Sequence, residues 1–435
     1  MKRLTFVLTI LAAGGATLAA RQQVMRPNLL GVGTAPTPAP ITETIGAEAP
    51  FFDDNVLQDI GLTISDRDWQ TLQDHFLDND YYQCDFRWRD QVVRNAGIRS
   101  RGTGSRSGVK PGLRVDFDRY VTGQTFLGLK SFVLRNNTQD ASSMHERLSM
   151  LLFRKVGEPA EREAHATLSV NNRYAGLYTI VESVDKKFVQ ATFGESDPFL
   201  YKYDYPVDGT PYFFEDRGSD PASYVPLPFK PETHETDSRP EFFVQLVQAI
   251  NQTSDANFRS TINNFFDLKK VARHVAVEHF LTDNDGFTSD YGGMNNYYIF
   301  RASASSMFTL IPWDKSEAFK GGVGYSIFRN ISDGPFARKN PLLSRALAQP
   351  DVYSAYLDAL VDCANAASAT DPSSGSSAGW LEREINREYA QIRDAERADQ
   401  QKPFTNDQFE AEVANLIAFA RQRSAFVLQQ VAAAR

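Results

Sequence analysis

The chain has 435 residues, 42% of them hydrophobic and 23% charged, which is the composition of a folded protein with roughly two or three domains or one large two-lobed domain. Its 46 basic and 54 acidic side chains give a formal net charge of -8. That balance excludes a general nucleic-acid binder, because no basic excess is available to neutralise phosphates. The two cysteines and six histidines do not form a metal-binding cluster in the sequence.

The first twenty residues have the pattern of an export signal. Lys2 and Arg3 form a positive start, residues 4–13 are apolar, and small residues follow them. We therefore predict a signal peptide over residues 1–20, with an uncleaved membrane anchor as the alternative, and an exported protein that is periplasmic, extracellular or on the cell surface. Residues 21–50 are rich in proline and glycine and predict a linker.

A β-rich segment follows the linker. Ser65 and the acidic residues after it predict the start of a helix. Residues 142–156 have helical spacing of apolar side chains, and Glu146 lies off the apolar face, free for a polar partner. Strands are predicted over residues 56–64, 84–88, 96–101, 113–117, 131–134, 166–170 and 177–182.

A glycine- and serine-rich loop separates two of these strands. It runs from Arg101 to Lys110 and is not a Walker A sequence. Its backbone N–H groups could cradle an anion, and the alternative is a flexible hairpin loop.

The second half of the chain is mostly helical after a short strand at 199–203. We predict an α+β protein with a kinase-like, β-rich N-lobe over 51–190 and a mostly helical kinase-like C-lobe over 191–435. Helices are predicted over residues 241–250, 268–281, 341–347, 353–366, 380–394 and 409–434.

Three oxygen-bearing side chains stand out between residues 282 and 314. Asp285 lies in an acidic turn, Asn296 opens a strand, and Asp314 ends the next strand. Kinase-type phosphoryl transfer uses an Asp near the acceptor, then an Asn and a second Asp on the metal ions, and magnesium prefers such oxygen ligands. The order of these residues therefore indicates phosphoryl transfer.

Seven short pieces, in order, resemble the CotH kinase family, named after spore coat protein H. The resemblance implies an atypical protein-kinase fold that uses ATP and Mg²⁺ or Mn²⁺ to phosphorylate Ser or Thr of a protein substrate, here a secreted or envelope protein. The pieces are residues 97–102, 115–118, 134–137, 176–182, 200–202, 295–298 and 312–314.

The resemblance and the phosphoryl-transfer pattern assign roles to the polar residues. Asp285 would orient the acceptor hydroxyl and accept its proton, with Asp290 as a rival because the stretch before Asn295 is longer than usual. Asn296 and Asp314 would bind the metal ion. The alternatives are a simple Asp-Gly turn and locally hydrogen-bonded strand ends.

Binding ATP also requires positive charge in the N-lobe. The candidates are Lys110 and Arg114 on the CotH-like basic strand, and Lys130, whose position before the helix of Glu146 resembles the kinase Lys–Glu pair. Lys202 is a further option. Glu182 falls where the adenine-side hinge is expected. Each is also an ordinary surface or strand-end charge in the alternative interpretation.

Two other functions remain open from the sequence. One is a non-catalytic CotH-like scaffold or binding protein of the cell envelope, favoured by Pro111 and Gly112 after Lys110. The other is an ATP-using transferase of a different group. Cys84 and Cys363 either form one disulfide or remain two isolated buried thiols.

Overall fold

The computed structural model describes residues 46–206 and 209–435. The predicted signal peptide and residues 21–45 of the predicted linker lie outside the described residues. Residues 46–50 contact the folded body, because Glu48 pairs with Arg162 at 3.2 Å and with Lys187 at 3.1 Å.

A closed seven-stranded barrel forms the first part of the described chain, in the order β1-β2-β3-β4-β5-β7-β6. Neighbouring strands are antiparallel except at the closure, where β1 and β6 run parallel. Closure of the sheet was not predicted from the sequence, although the strands were. The strands are β1 (Gln58–Ile64), β2 (Tyr82–Trp88), β3 (Gln91–Ser100), β4 (Leu113–Asp116), β5 (Ser131–Arg135), β6 (Glu163–Val170) and β7 (Arg173–Glu182).

Aromatic rings fill the barrel. The ring centroid of Phe51 lies 5.0 Å from that of Phe132 and 5.1 Å from that of Phe126, in edge-to-face contacts. Successive side chains of a strand point to opposite faces, so Phe132 and Leu134 of β5 pack inside while Val133 and Arg135 face outward. The outer face of β5 is therefore free to contact the rest of the protein.

A second sheet lies against that outer face. Val133 and Val181 of the barrel pack with Tyr298 and Trp313 in one buried apolar cluster. The sheet has the order β11-β10-β8-β9 and places the ends of β10 and β11 beside the barrel. Its strands are β8 (Phe199–Tyr203), β9 (Phe229–Pro231), β10 (Tyr297–Arg301) and β11 (Phe308–Pro312).

Helices make up most of the remaining body. The helix α6 runs through its core, begins at the cap residue Asp267, which accepts hydrogen bonds from two backbone N–H groups, and ends at Thr282 in a left-handed conformation. The helices are α1 (Asp66–Asp74), α2 (His145–Lys155), α3 (Lys186–Phe193), α4 (Glu241–Gln252), α5 (Asp255–Ile262), α6 (Leu268–Leu281), α7 (Pro341–Leu347), α8 (Pro350–Ser368), α9 (Trp380–Ala398) and α10 (Asn406–Ala434).

Within the described ranges, none of the helices is both long enough and apolar enough to span a membrane. The cysteines Cys84 on β2 and Cys363 on α8 are free and buried, so the interpretation as two isolated thiols applies. Burial raises the pKa of Cys84 to about 12, which keeps this thiol protonated at neutral pH.

Candidate active site

A buried ion cluster holds the acidic turn that follows α6. The Lys315 Nζ lies 2.6 Å from Glu278 Oε1 and 3.0 Å from Asp283 Oδ2, and all three side chains are fully buried. Burial would by itself raise the pKa of Glu278, but Lys315 and then His274 outweigh it and lower the pKa to about 2. The cluster therefore contains ionised groups that fix the end of α6 against the end of β11.

The same carboxylates shape the backbone of the turn. Asp283 Oδ1 accepts a hydrogen bond from the Asp285 N–H at 3.0 Å, and Glu278 Oε2 accepts one from the Phe287 N–H at 2.8 Å. At Gly286 a Cβ atom would lie 2.6 Å from Asp283 Oδ2, so any larger residue would displace the cluster. The turn is thereby held in one conformation around Asp285.

Two amides hold the Asp285 carboxylate. Asn295 Nδ2 lies 3.0 Å from each carboxylate oxygen, and Asn296 Nδ2 lies 3.0 Å from Oδ2. Burial raises the pKa of Asp285 to about 7, partly opposed by the hydrogen bond from Asn295. The group is therefore balanced between its protonated and ionised forms near neutral pH.

Asn296 and Asp314 meet at one end of the β10–β11 hairpin. The register pairs Tyr297 with Pro312, and the Trp313 N–H donates to the Asn296 carbonyl at 3.1 Å. Asn296 has a φ of 54° and Asp314 a φ of 51°, in the left-handed region that Asn and Asp tolerate better than most residues. Such conformations are concentrated at functional sites.

Arg135 is the partner of Asp314 across the two sheets. Its Nη1 lies 2.6 Å from Asp314 Oδ2, its Nε pairs with Glu146, and its guanidinium carbon lies 5.1 Å from the Trp313 ring centroid. Burial would raise the pKa of Asp314, but Arg135 and Arg101 lower it to about 2. Asp314 is therefore a carboxylate at neutral pH.

The role of Arg135 was missed from the sequence, although it lies in one of the family-like pieces. The available signal was its position: it ends the strand Ser131–Arg135, in which every residue is buried. A buried arginine requires a charged partner, which identifies it as part of a site.

An open, polar cleft brings these residues together. Asp285, Asn295, Asn296 and Asp314 line one side, and the glycine-rich loop lines the other. Arg106 supports that loop by donating from Nε to the Gly102 carbonyl at 2.8 Å and from Nη1 to the Asp78 carbonyl at 2.9 Å. Arg106 therefore ties the loop to its own start and to the segment after α1.

Two cations of the cleft are uncommitted. Within residues 46–206 and 209–435, the side chains of Arg101 and Lys202 form no hydrogen bond or ion pair, although both line the cleft. Burial lowers the pKa of Arg101 to about 10, with Arg135 adding to the effect, so Arg101 stays charged at neutral pH. These two residues are available for an anionic ligand.

Of the predicted ATP-contacting cations, Lys202 lines the cleft, whereas the two on the CotH-like basic strand lie elsewhere. Lys110 is buried and its Nζ lies 2.7 Å from Asp399 Oδ2. Arg114 donates to the Ser131 hydroxyl at 3.1 Å. Neither is among the residues that line the cleft.

The expected Lys130–Glu146 pair is wrong. Lys130 is 66% exposed and pairs with Asp118 at 2.9 Å, while Glu146 pairs with Arg135. The reason is position along the strand, because Lys130 precedes β5 and lies at the exposed end of the barrel, whereas Arg135 ends β5 on its outward face and reaches Glu146 of α2.

Two predicted carboxylates also lie outside the cleft. Asp290 pairs with Arg329 Nε at 2.9 Å and accepts from Asn330 Nδ2 at 2.7 Å. Glu182, at the end of β7, pairs with Arg162 Nη2 at 2.6 Å. The structure therefore separates Asp290 from the group that contains Asp285.

The molecule is a mixed α+β protein in which a closed barrel and a helical body share a polar cleft. It belongs to the CotH kinase protein family, whose family model matches residues 98–427, as the sequence motifs indicated.

Two known proteins are similar to this chain, one by sequence alignment and one among solved structures. The chain is 25% identical over 192 residues to the inner spore coat protein H of Bacillus subtilis (strain 168), an alignment that covers 44% of this chain and 50% of that protein. It therefore spans about half the length of this curated relative. Among solved structures, the proinflammatory kinase CtkA of Helicobacter pylori is similar with a TM-score of 0.31 and 10% identity, covering 70% of this chain and 91% of that chain.

Proposed function

We propose that this protein is an exported CotH-like protein kinase that transfers the γ-phosphoryl group of ATP, with Mg²⁺ or Mn²⁺, to Ser or Thr of a secreted or envelope protein. The observation that carries the proposal is the meeting of Asp285, Asn296 and Asp314 in one cleft, opposite the uncommitted cations Arg101 and Lys202. Membership of the CotH kinase family supports it.

The donor set fits a divalent cation. The side-chain nitrogen Nδ2 of Asn296 donates to Asp285, which leaves the side-chain oxygen Oδ1 of Asn296 for a metal ion. Asp314 is ionised at neutral pH, and hard cations such as Mg²⁺ prefer these oxygen ligands. A metal ion bound there supplies positive charge to phosphate oxygens.

The opposite wall fits phosphate groups. Arg101 and Lys202 offer positive charge, and the loop that Arg106 supports offers backbone N–H groups. Arg135 would not bind phosphate directly, because it is already shared between Asp314 and Glu146. Its role in the proposal is to hold Asp314 in place.

Asp285 would receive the proton of the acceptor hydroxyl. Its two amide donors fix the orientation of the carboxylate, and its pKa of about 7 makes it an efficient proton acceptor near neutral pH. Asp290 is assigned no catalytic role, because Arg329 and Asn330 already bind its carboxylate.

A non-catalytic binding protein is the second candidate. The observation in its favour is that Lys110, the first cation of the CotH-like basic strand, is committed to Asp399. In that case the cleft would bind its ligand without transferring a group.

Calorimetry of the full chain with ATP, with and without Mg²⁺ or Mn²⁺, tests the proposal. We expect metal-dependent binding that Asp314→Asn abolishes and that Lys130→Met, an exposed cation outside the cleft, leaves unchanged. Folded wild-type protein that does not bind ATP with either metal would overturn the nucleotide site.

The transfer itself is tested by incubating the protein with ATP, metal and a Ser/Thr-containing peptide library. The intact mass of a modified peptide distinguishes a phosphoryl from an adenylyl group. ATP binding without modification of any peptide or of the chain would favour the non-catalytic candidate.

A further inference from the structure

Three glutamates form a buried cluster behind the cleft. They are Glu146 on α2, Glu161 in the segment before β6, and Glu163 at the start of β6. One carboxylate oxygen of each lies within 4.8 Å of the others, and the residues are 6%, 0% and 4% exposed, respectively. Three carboxylates this close cannot all be ionised without a compensating charge.

The carboxylates of Glu161 and Glu163 lack partners. Both oxygens of each are buried, and within the described residues neither carboxylate has a hydrogen-bond partner on another residue. A buried polar group without a partner costs about 1–3 kcal/mol, and more if it is charged. The orphaned oxygens point into the cluster and indicate that something else satisfies them.

The neighbouring arginine does not neutralise the cluster. Arg135 pairs with Glu146, but it also serves Asp314, so its single positive charge is already shared by two carboxylates. The other two glutamates remain uncompensated by any ion pair within residues 46–206 and 209–435.

We propose that Glu146, Glu161 and Glu163 bind one hard divalent cation of the Ca²⁺, Mg²⁺ or Mn²⁺ class, at a site separate from Asn296 and Asp314. Carboxylate oxygens are the ligands these ions prefer. Oxygen ligands lie about 2.3–2.6 Å from Ca²⁺, so two of them are at most about 5 Å apart. The three oxygens all lie within 4.8 Å of one another, which is within that limit for Ca²⁺, and the smaller Mg²⁺, with ligands at about 2.0–2.1 Å, would draw them closer together.

A cavity adjoins the cluster at Glu146. It is a small, polar space that is lined by Glu146, Arg135, Ser143, Asn137 and Thr179, among other residues. Water in this cavity would complete the coordination, since Ca²⁺ and Mg²⁺ keep water among their ligands. The ion would tie α2 to the start of β6 and so steady the pair of Glu146 and Arg135.

Protonation is the competing explanation for the orphaned oxygens. Burial, and then the negative charge of Glu146, raise the pKa values of Glu161 and Glu163 well above the usual range. Protons and a cation would compensate the same charge, but only a cation adds an ion to the protein. The two explanations therefore differ in the metal content.

Metal content of the nucleotide-free full chain tests the proposal independently of kinase activity. The protein is stripped with a chelator, incubated separately with millimolar Ca²⁺, Mg²⁺ or Mn²⁺, passed through a desalting column and assayed by elemental mass spectrometry and thermal unfolding. We expect one ion per chain that persists in Asn296→Ala, together with a cation-dependent rise in Tm. The double variant Glu161→Gln/Glu163→Gln should lose that ion and the Tm response.

The same experiment can overturn the proposal. Wild-type protein without a bound ion and without a Tm response would show that protons occupy the cluster, even if no variant folds. An ion retained by Glu161→Gln/Glu163→Gln but lost by Asn296→Ala would belong to the cleft. Because no nucleotide is used, failure of the kinase proposal would leave this result unchanged.

Discussion

The Nη1 atom of Arg135 lies 2.6 Å from Asp314 Oδ2 and so connects the last residue of β5 to a residue two positions beyond the end of β11. The same guanidinium group pairs with Glu146 of α2. One arginine thus joins the barrel, the second sheet and a helix at the back of the cleft. Its loss should affect both stability and function.

Arg135→Met should destabilise the protein strongly. The substitution removes the arginine partner of the buried Glu146 and the half-buried Asp314, and breaking a buried pair costs up to about 3–5 kcal/mol. Urea denaturation measures the effect. Adding Glu146→Gln should recover part of the loss, because one orphaned charge is removed. Ordinary surface substitutions change the free energy of unfolding by less than about 0.5 kcal/mol. An effect of Arg135→Met that falls within this range would contradict the pairing.

Glu278 should make stability depend on acidity. Its pKa falls from the ordinary 4.5 to about 2 in the folded protein. The ionised Glu278 therefore makes its full contribution to the free energy of unfolding above pH 4.5, and this contribution is lost as the pH falls from 4.5 towards 2. Denaturant titrations between pH 5 and 3 should show a shallower decline for Glu278→Gln than for wild type. Equal slopes would argue against an ionised Glu278 paired with Lys315.

Asp285→Asn should reduce phosphotransfer by about 10²–10⁴-fold, the usual contribution of a general base. Because the reactive form is the carboxylate and its pKa is about 7, wild-type kcat/KM should rise with pH through about 7. Steady-state kinetics across pH measures both effects. The matched variant Asp290→Asn should keep this pH profile and chiefly lower stability, and the reverse pattern would make Asp290 the base.

Arg101→Met and Lys202→Met should each raise the Kd for ATP about tenfold or more, because hydrogen bonds to charged groups contribute about 1.5–3 kcal/mol. Calorimetry with Mg²⁺ measures the affinity. Lys110→Met should leave the affinity of the folded protein unchanged while destabilising it, since it breaks a buried pair with Asp399. A Kd that responds to Lys110→Met alone would restore Lys110 as the phosphate contact.

Much of the local structure was predictable because its causes are local. The helix expected over 268–281 is observed as Leu268–Leu281, with the cap at Asp267 and the acidic turn directly after it. A strand ending on Asp314 was predicted, and it is observed as Phe308–Pro312, which ends two residues earlier. Periodicity and end signals extend over a few residues, so the sequence displays them directly.

The charged pairs were not predictable in the same way. The sequence suggested that Lys130 binds Glu146, but the two-residue period of β5 places Arg135 on the side that faces α2. Lys110 meets Asp399, a residue distant in the chain that follows α9. Which charges meet depends on how distant segments pack, and local patterns carry no information about that.

By itself, the sequence determined the family, most of the helices and strands, and the order of Asp285, Asn296 and Asp314, since each depends on short patterns. Tertiary structure alone decided that the strands close into a barrel, that Arg135 holds Asp314, and that Glu146, Glu161 and Glu163 share one buried space. A buried charge must be paired or neutralised, and the packing of distant segments decides which groups lie near it. These relationships therefore exist only in the folded protein.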